Sequence, residues 1–108
     1  MIYSTQQIRD IVAPIAAHFH LNAVYLFGSY ARGEARADSD IDLLVDLSGT
    51  DIKSLFSLGA VYCAFEDALG KKIDLITLSS LEQEASQASD ILFRQNLQQE
   101  RVTLYAAS

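Results

Sequence analysis

The run Gly28-Ser29-Tyr30-Ala31-Arg32-Gly33-Glu34-Ala35-Arg36-Ala37-Asp38-Ser39-Asp40-Ile41-Asp42-Leu43 lies between two short apolar segments, and its reading decides the fold. Before it, Leu21 to Phe27 (LNAVYLF) is rich in β-branched and aromatic residues and stops at Gly28, the pattern of a buried strand. Gly28-Ser29 then reads as a strand-to-helix turn. Ile41 to Leu47 (IDLLVDL) alternates in part and predicts a second strand, closed by the turn residues Ser48-Gly49-Thr50.

Working outward, Ser4 and Gln7 have the spacing of a capping box, and Ile8, Ile11, Val12, Ile15 and Phe19 follow on one helical face. This predicts a helix over about 5–19, with Pro14 inside it as a candidate kink. On the other side, Leu55, Leu58, Tyr62, Phe65 and Leu69 recur at three and four residues, and Gly70 follows as a C′ cap. Lys72 to Leu78 (KIDLITL) reads as a third strand, and Ser80-Leu81-Glu82-Gln83 as another helix start. From about Asp90 to Tyr105, Leu92, Phe93, Leu97, Val102 and Leu104 among polar residues predict a terminal amphipathic helix. The order of elements is that of one α/β (α+β) domain over residues 1–108.

The chemistry lies in the carboxylates. Asp40 and Asp42 are two apart, so on a strand they share a face about 7 Å apart, while Ile41, Leu43 and Val45 point the other way, into a core. Asp74 begins the third strand between Ile73 and Leu75, where a lone carboxylate is costly to desolvate unless paired or metal-bound. Three clustered carboxylates offer only oxygen ligands, and the hard ion Mg²⁺ suits them. Two such ions about 4 Å apart would serve an in-line displacement at phosphorus. Gly28 lets the backbone approach a phosphate closely, and the amides after it and the Ser29 hydroxyl can donate to phosphate oxygens. Arg32 and Arg36 lie between this cradle and the carboxylates and are candidate cations for a polyphosphate.

Taken together, the run from Gly28 to Leu43 resembles the glycine-serine, Asp-x-Asp signature of the polymerase-β-like nucleotidyltransferase superfamily, most of all its minimal nucleotidyltransferase (MNT) group. The resemblance implies a small mixed sheet packed with helices. It also implies Asp40 and Asp42 as metal ligands, Asp74 as the third carboxylate that helps activate the acceptor, and Gly28 and Ser29 as triphosphate binders. Minimal members commonly stand beside a HEPN-domain toxin as antitoxins, and some transfer AMP from ATP to a tyrosine of that toxin. The expectation is therefore a Mg²⁺-dependent nucleotidyltransferase with ATP as donor and a HEPN-domain protein as partner, in a homo- or hetero-oligomer. The alternatives are a small-molecule acceptor such as an aminoglycoside, and a non-catalytic nucleotide-binding subunit that inhibits a toxin by contact.

Composition narrows the field further. The net charge is −6, from 14 acidic and 8 basic residues, and no basic stripe interleaved with aromatics is present. Direct nucleic-acid binding is disfavoured, because it rests on Lys and Arg displacing counterions. No apolar run approaches the ~20 residues of a membrane span, and the start lacks a secretory signal, so the expected compartment is the cytoplasm. Cys63, between apolar neighbours, is expected in the core. His18 and His20 end the first helix and lack zinc-site spacing. Tyr30 is expected to pack, Asp38 to shape the turn before the second strand, and Lys71 and Lys72 to finish a helix and stay in water.

Overall fold

The computed structural model describes residues 2–52, 54–77 and 101–107. In chain order they form helix α1 (Thr5–His18), strand β1 (Ala23–Phe27), a short helix α2 (Gly28–Arg32), strand β2 (Ile41–Asp46), helix α3 (Leu55–Leu69), and strands β3 (Ile73–Thr77) and β4 (Val102–Ala106). The strands make one mixed sheet in the order β3-β2-β1-β4. β1 is antiparallel to both neighbours, while β2 and β3, joined through α3, are parallel.

Local sequence explains most of these boundaries. The capping box at α1 forms as its spacing predicts. Gln7 N–H donates to Ser4 Oγ at 3.1 Å, and Ser4 N–H donates to Gln7 Oε1 at 2.8 Å. Losing such a cap costs on the order of 1 kcal/mol. The helix continues past Pro14 to His18. Pro14 cannot donate to the carbonyl of Asp10, but both residues are exposed and water can take that bond. α3 ends at Gly70, which takes the left-handed conformation a C-terminal cap requires.

The centre of the core is a row on each element. α1 buries Ile8, Val12 and Ala16, flanked by Ile11, Ile15 and Phe19. α3 buries Val61, Phe65 and Leu69, and Tyr62 packs at their edge. These meet Val24 and Leu26 of β1, Ile41, Leu43 and Val45 of β2, and Ile73 of β3. A fully buried side chain of the size of Phe65 contributes roughly 2–3 kcal/mol. The other face of the sheet carries a smaller cluster, in which Phe27 and Leu44 are buried against Tyr25 and Ile76.

Three expectations are corrected. Residues 102–105, expected in a terminal helix, are not helical: Val102–Ala106 is β4, an outer strand on β1, with a register shift opposite Val24 and Tyr25. Val102, Thr103 and Tyr105 are the β-branched and aromatic types that favour a pleated surface, and Leu104 enters the core. Residues 90–100, the expected helix start at Ser80, and Leu78 lie outside the described residues. Cys63 is exposed rather than in the core, because it lies two positions from both Val61 and Phe65, on the far side of α3. Lys71 does not simply stay in water; it is half-buried and donates to the Ala37 carbonyl at 2.8 Å.

Candidate functional site

Parallel pairing of β2 with β3 decides the geometry of the site. The register opposes Ile41 to Ile73, Asp42 to Asp74 and Leu43 to Leu75. The isoleucines and leucines turn towards the helices, so Asp42 and Asp74 stand side by side on the opposite face, on strands about 4.8 Å apart. The register starts where Ile41 N–H donates to the Lys72 carbonyl at 3.2 Å. Asp40 precedes β2 and is exposed, as is Asp74, whereas Asp42 is half-buried. The desolvation cost expected at Asp74 falls on Asp42 instead.

Electrostatics agree with that placement. Burial pushes the Asp42 carboxyl above the ordinary carboxylate range, the negative charges of Asp74 and then Asp40 push it further, and Arg32 pulls it back. Asp74, Asp40 and Arg32 therefore all act on the Asp42 carboxyl. Arg32 is also held by Glu34, with Nε to Oε2 at 3.1 Å. Arg36 is exposed on the following loop, and its guanidinium makes no ion pair or hydrogen bond among the described residues. Of the two predicted arginines, only Arg32 bears on Asp42.

Gly28 closes the site from β1. It has φ +73°, and a Cβ built on it would overlap Asp42 Oδ2 and lie 3.1 Å from Asp42 Cγ. Since Phe27 pairs with Asp42, the backbone turns from β1 into α2 directly against that carboxylate, which only glycine permits. Ser29 follows, half-buried, its carbonyl accepting from Glu34 N–H at 2.9 Å and its hydroxyl making no hydrogen bond among the described residues. Phe27, in the N-cap position of α2, offers no capping side chain, so the first amides of α2 remain available to an anion. Tyr30 packs into the core as expected, but its hydroxyl is buried without a hydrogen-bond partner among the described residues.

The loop from α2 to β2 is shaped by Ser39 rather than by Asp38. Ser39 N–H donates to the Arg36 carbonyl at 3.0 Å, and Arg36 N–H donates to Ser39 Oγ at 2.8 Å. Asp38 is exposed at the turn.

A cation would fit the donor set. All three acids offer hard oxygen ligands, and a positive ion would relieve the repulsion that raises Asp42. As the side chains stand, no three acidic, histidine or cysteine groups among the described residues converge on one ion position. Asp40 and Asp74 are exposed and can change rotamer to close on an ion or a metal-bound phosphate. Among the described residues, no helix is long and apolar enough to cross a membrane.

Known proteins resemble this chain in sequence and in fold. The Thermococcus cleftensis protein named protein adenylyltransferase MntA is 42% identical over 82 residues, covering 69% of this chain and 81% of that protein. A chain from a crystal structure of a toxin-antitoxin with AMP-PNP aligns at a TM-score of 0.67 and 22% identity, covering 93% of this chain and 74% of that one. A chain from a structure of tri-AMPylated Shewanella oneidensis HEPN toxin in complex with MNT antitoxin aligns at a TM-score of 0.63 and 21% identity, covering 95% of this chain and 73% of that one. At these identities the two structures speak for the fold alone. Residues 9–107 match the family described as polymerase beta, nucleotidyltransferase, a span from within α1 to the end of β4, so the chain belongs to that family and is a nucleotidyltransferase.

Proposed function

We propose that this chain transfers AMP from ATP to a protein partner in a Mg²⁺-dependent reaction, and that the partner is a HEPN-domain toxin for which it serves as antitoxin. The observation that carries the chemistry is the in-register pair Asp42 and Asp74 beside the Gly28 turn, with Asp40 and Arg32 within electrostatic reach of Asp42. The name of the Thermococcus relative and the toxin-antitoxin complexes among the structural neighbours support the acceptor and the partner.

In this reading Asp40, Asp42 and Asp74 would hold the metal. Two Mg²⁺ ions there would neutralise the triphosphate and sharpen the acceptor oxygen as a nucleophile. Gly28 and Ser29 seat the triphosphate through the α2 amides and the Ser29 hydroxyl. Arg32, with Arg36 from the next loop, offsets charge that builds on the phosphates. The acceptor hydroxyl oxygen bonds to the α-phosphorus, the bond from that phosphorus to the β-phosphate oxygen breaks, and pyrophosphate leaves. Asp74 takes up the hydroxyl proton.

The test mixes the chain with the protein encoded beside it, the proposed HEPN-domain toxin, together with Mg²⁺ and ATP labelled at either the α- or the γ-phosphate. Label should reach the partner from α-labelled ATP only. Transfer from the γ-position would contradict nucleotidyl transfer, and no label with ATP still bound would move the acceptor to a small molecule or the role to inhibition by contact.

A further inference from the structure

Asp42 and Asp74 sit on paired strands, but Asp40 sits on the loop before β2, and a site residue on a loop is held less firmly than one on a strand. The loop's own bonds are local: Glu34 N–H to the Ser29 carbonyl, Ser39 N–H to the Arg36 carbonyl, and Arg36 N–H to Ser39 Oγ. These shape the middle of the loop without fixing it to the β3 side, to which the chain is next tied at Ile41, whose N–H donates to the Lys72 carbonyl at 3.2 Å. Lys71 reaches across that gap. It follows the Gly70 cap and precedes Asp74 by three residues, and its Nζ donates to the Ala37 carbonyl at 2.8 Å. The same Nζ lies 5.7 Å from the centre of the Tyr30 ring, within cation–π range, and Tyr30 is itself buried in the core. One side chain thus joins the α3–β3 turn, the middle of the Asp40 loop, and the anchored face of α2.

We infer that Lys71 is a positioning residue, a clamp that fixes the Asp40 loop against the β3 side so that Asp40 meets Asp42 and Asp74 in the geometry the reaction uses. This rests on the nucleotidyl-transfer reading for its effect on turnover, though the clamp itself is visible without turnover.

The experiment compares the parent with Lys71→Met, which keeps an apolar stem over Tyr30 but removes the donor and the charge, and with Lys71→Arg, which keeps both. Amide hydrogen exchange at Arg36 and Ser39, whose N–H groups are hydrogen-bonded, should accelerate roughly five- to tenfold in Lys71→Met, the scale of one lost charge-assisted bond at a partly exposed site, with β1 amides unchanged. In the transfer assay with the HEPN-domain partner, kcat should fall by a factor of about ten or more while KM for ATP stays within about twofold, and Lys71→Arg should recover most of kcat. A Mg²⁺ titration followed at the Asp40 amide resonance should need more metal in Lys71→Met than in the parent. Unchanged exchange in Lys71→Met overturns the clamp. Faster exchange with parental kcat, or with a parental Mg²⁺ titration, overturns the positioning role. A parent that labels no partner refutes the proposed function instead, and exchange and titration then decide the inference by themselves.

Discussion

Gly28→Ala is the substitution whose effect can be worked most fully from the structure. At φ +73° an L-residue pays a backbone cost of about 1–2 kcal/mol. The added methyl also overlaps Asp42 Oδ2 and lies 3.1 Å from Cγ, so the carboxylate must leave its rotamer or the α2 turn must shift, at a further cost of about 1 kcal/mol. The sum, roughly 2–3 kcal/mol, lies within the stability of an ordinary domain, so the variant should fold. Under the proposed function its activity should not survive as well, because moving a group that takes part in the reaction by about 1 Å costs on the order of a hundredfold in rate. Gly33→Ala is the matched control, with the same φ of +73° and no atom within 4 Å of the added methyl. Urea titrations should show a loss for Gly33→Ala of about the backbone cost alone, with transfer near the parental rate, and a larger loss for Gly28→Ala with transfer reduced about a hundredfold. Equal loss of transfer in both variants, or parental transfer in Gly28→Ala, would refute the placement of Gly28 against a working Asp42.

Other expectations follow from the same electrostatics and packing. Because burial, Asp74 and Asp40 raise the Asp42 carboxyl, the folded chain holds that proton more tightly than the unfolded chain; stability is lost as pH rises through the raised value. Without added metal, Asp42→Asn should melt higher than the parent at neutral pH, with the gap closing in acid, and a gap that widens in acid would contradict the account. Asp46 behaves oppositely: burial raises its carboxyl, but the Ser48 hydroxyl and amide and the Asn22 amide outweigh this and lower it. Asp46→Ala should therefore lose stability at neutral pH and lose progressively less as pH falls through the carboxylate range, while transfer is kept; equal loss at all pH values would argue against the bonds. Tyr30→Phe removes a buried hydroxyl with no partner among the described residues, so thermal melts should show parental stability or a gain of up to about 1 kcal/mol. A loss above about 2 kcal/mol would mean that the hydroxyl is satisfied.

What could be read from the sequence was whatever is written locally. Ser4 and Gln7 announce a helix start through two bonds three residues apart, and the short apolar runs before Gly28 and after Asp40 read as the strands that flank α2 and its loop. Ile41, Leu43 and Val45 lie in the core while Asp42 faces away, as period-two alternation requires. The features that escaped depend on distant parts of the chain. The residues from Val102 to Ala106 are strand-prone, but Leu92, Phe93 and Leu97 before them suggested a helix that ran on, and only pairing with β1 makes them β4. Apolar neighbours along the chain placed Cys63 in the core, yet the buried stripe of α3 runs through Val61, Phe65 and Leu69 on the other side. The candidate site was legible as a set of residue types, and its geometry was not. That Asp42, rather than Asp74, carries the burial, that Arg32 rather than Arg36 bears on it, and that Lys71 ties the loop all follow from the β2–β3 register and the path of the loop, which spacing alone does not encode.

The measurement that bears most directly on the central claim compares the parent with Asp42→Asn and Asp74→Asn for transfer from α-labelled ATP to the proposed HEPN-domain partner, with folding of each variant checked by its melt. Both variants should fold, and both should lose transfer by at least about a hundredfold. A well-folded Asp42→Asn that labels the partner at the parental rate would show that the carboxylate pair is not the seat of the chemistry.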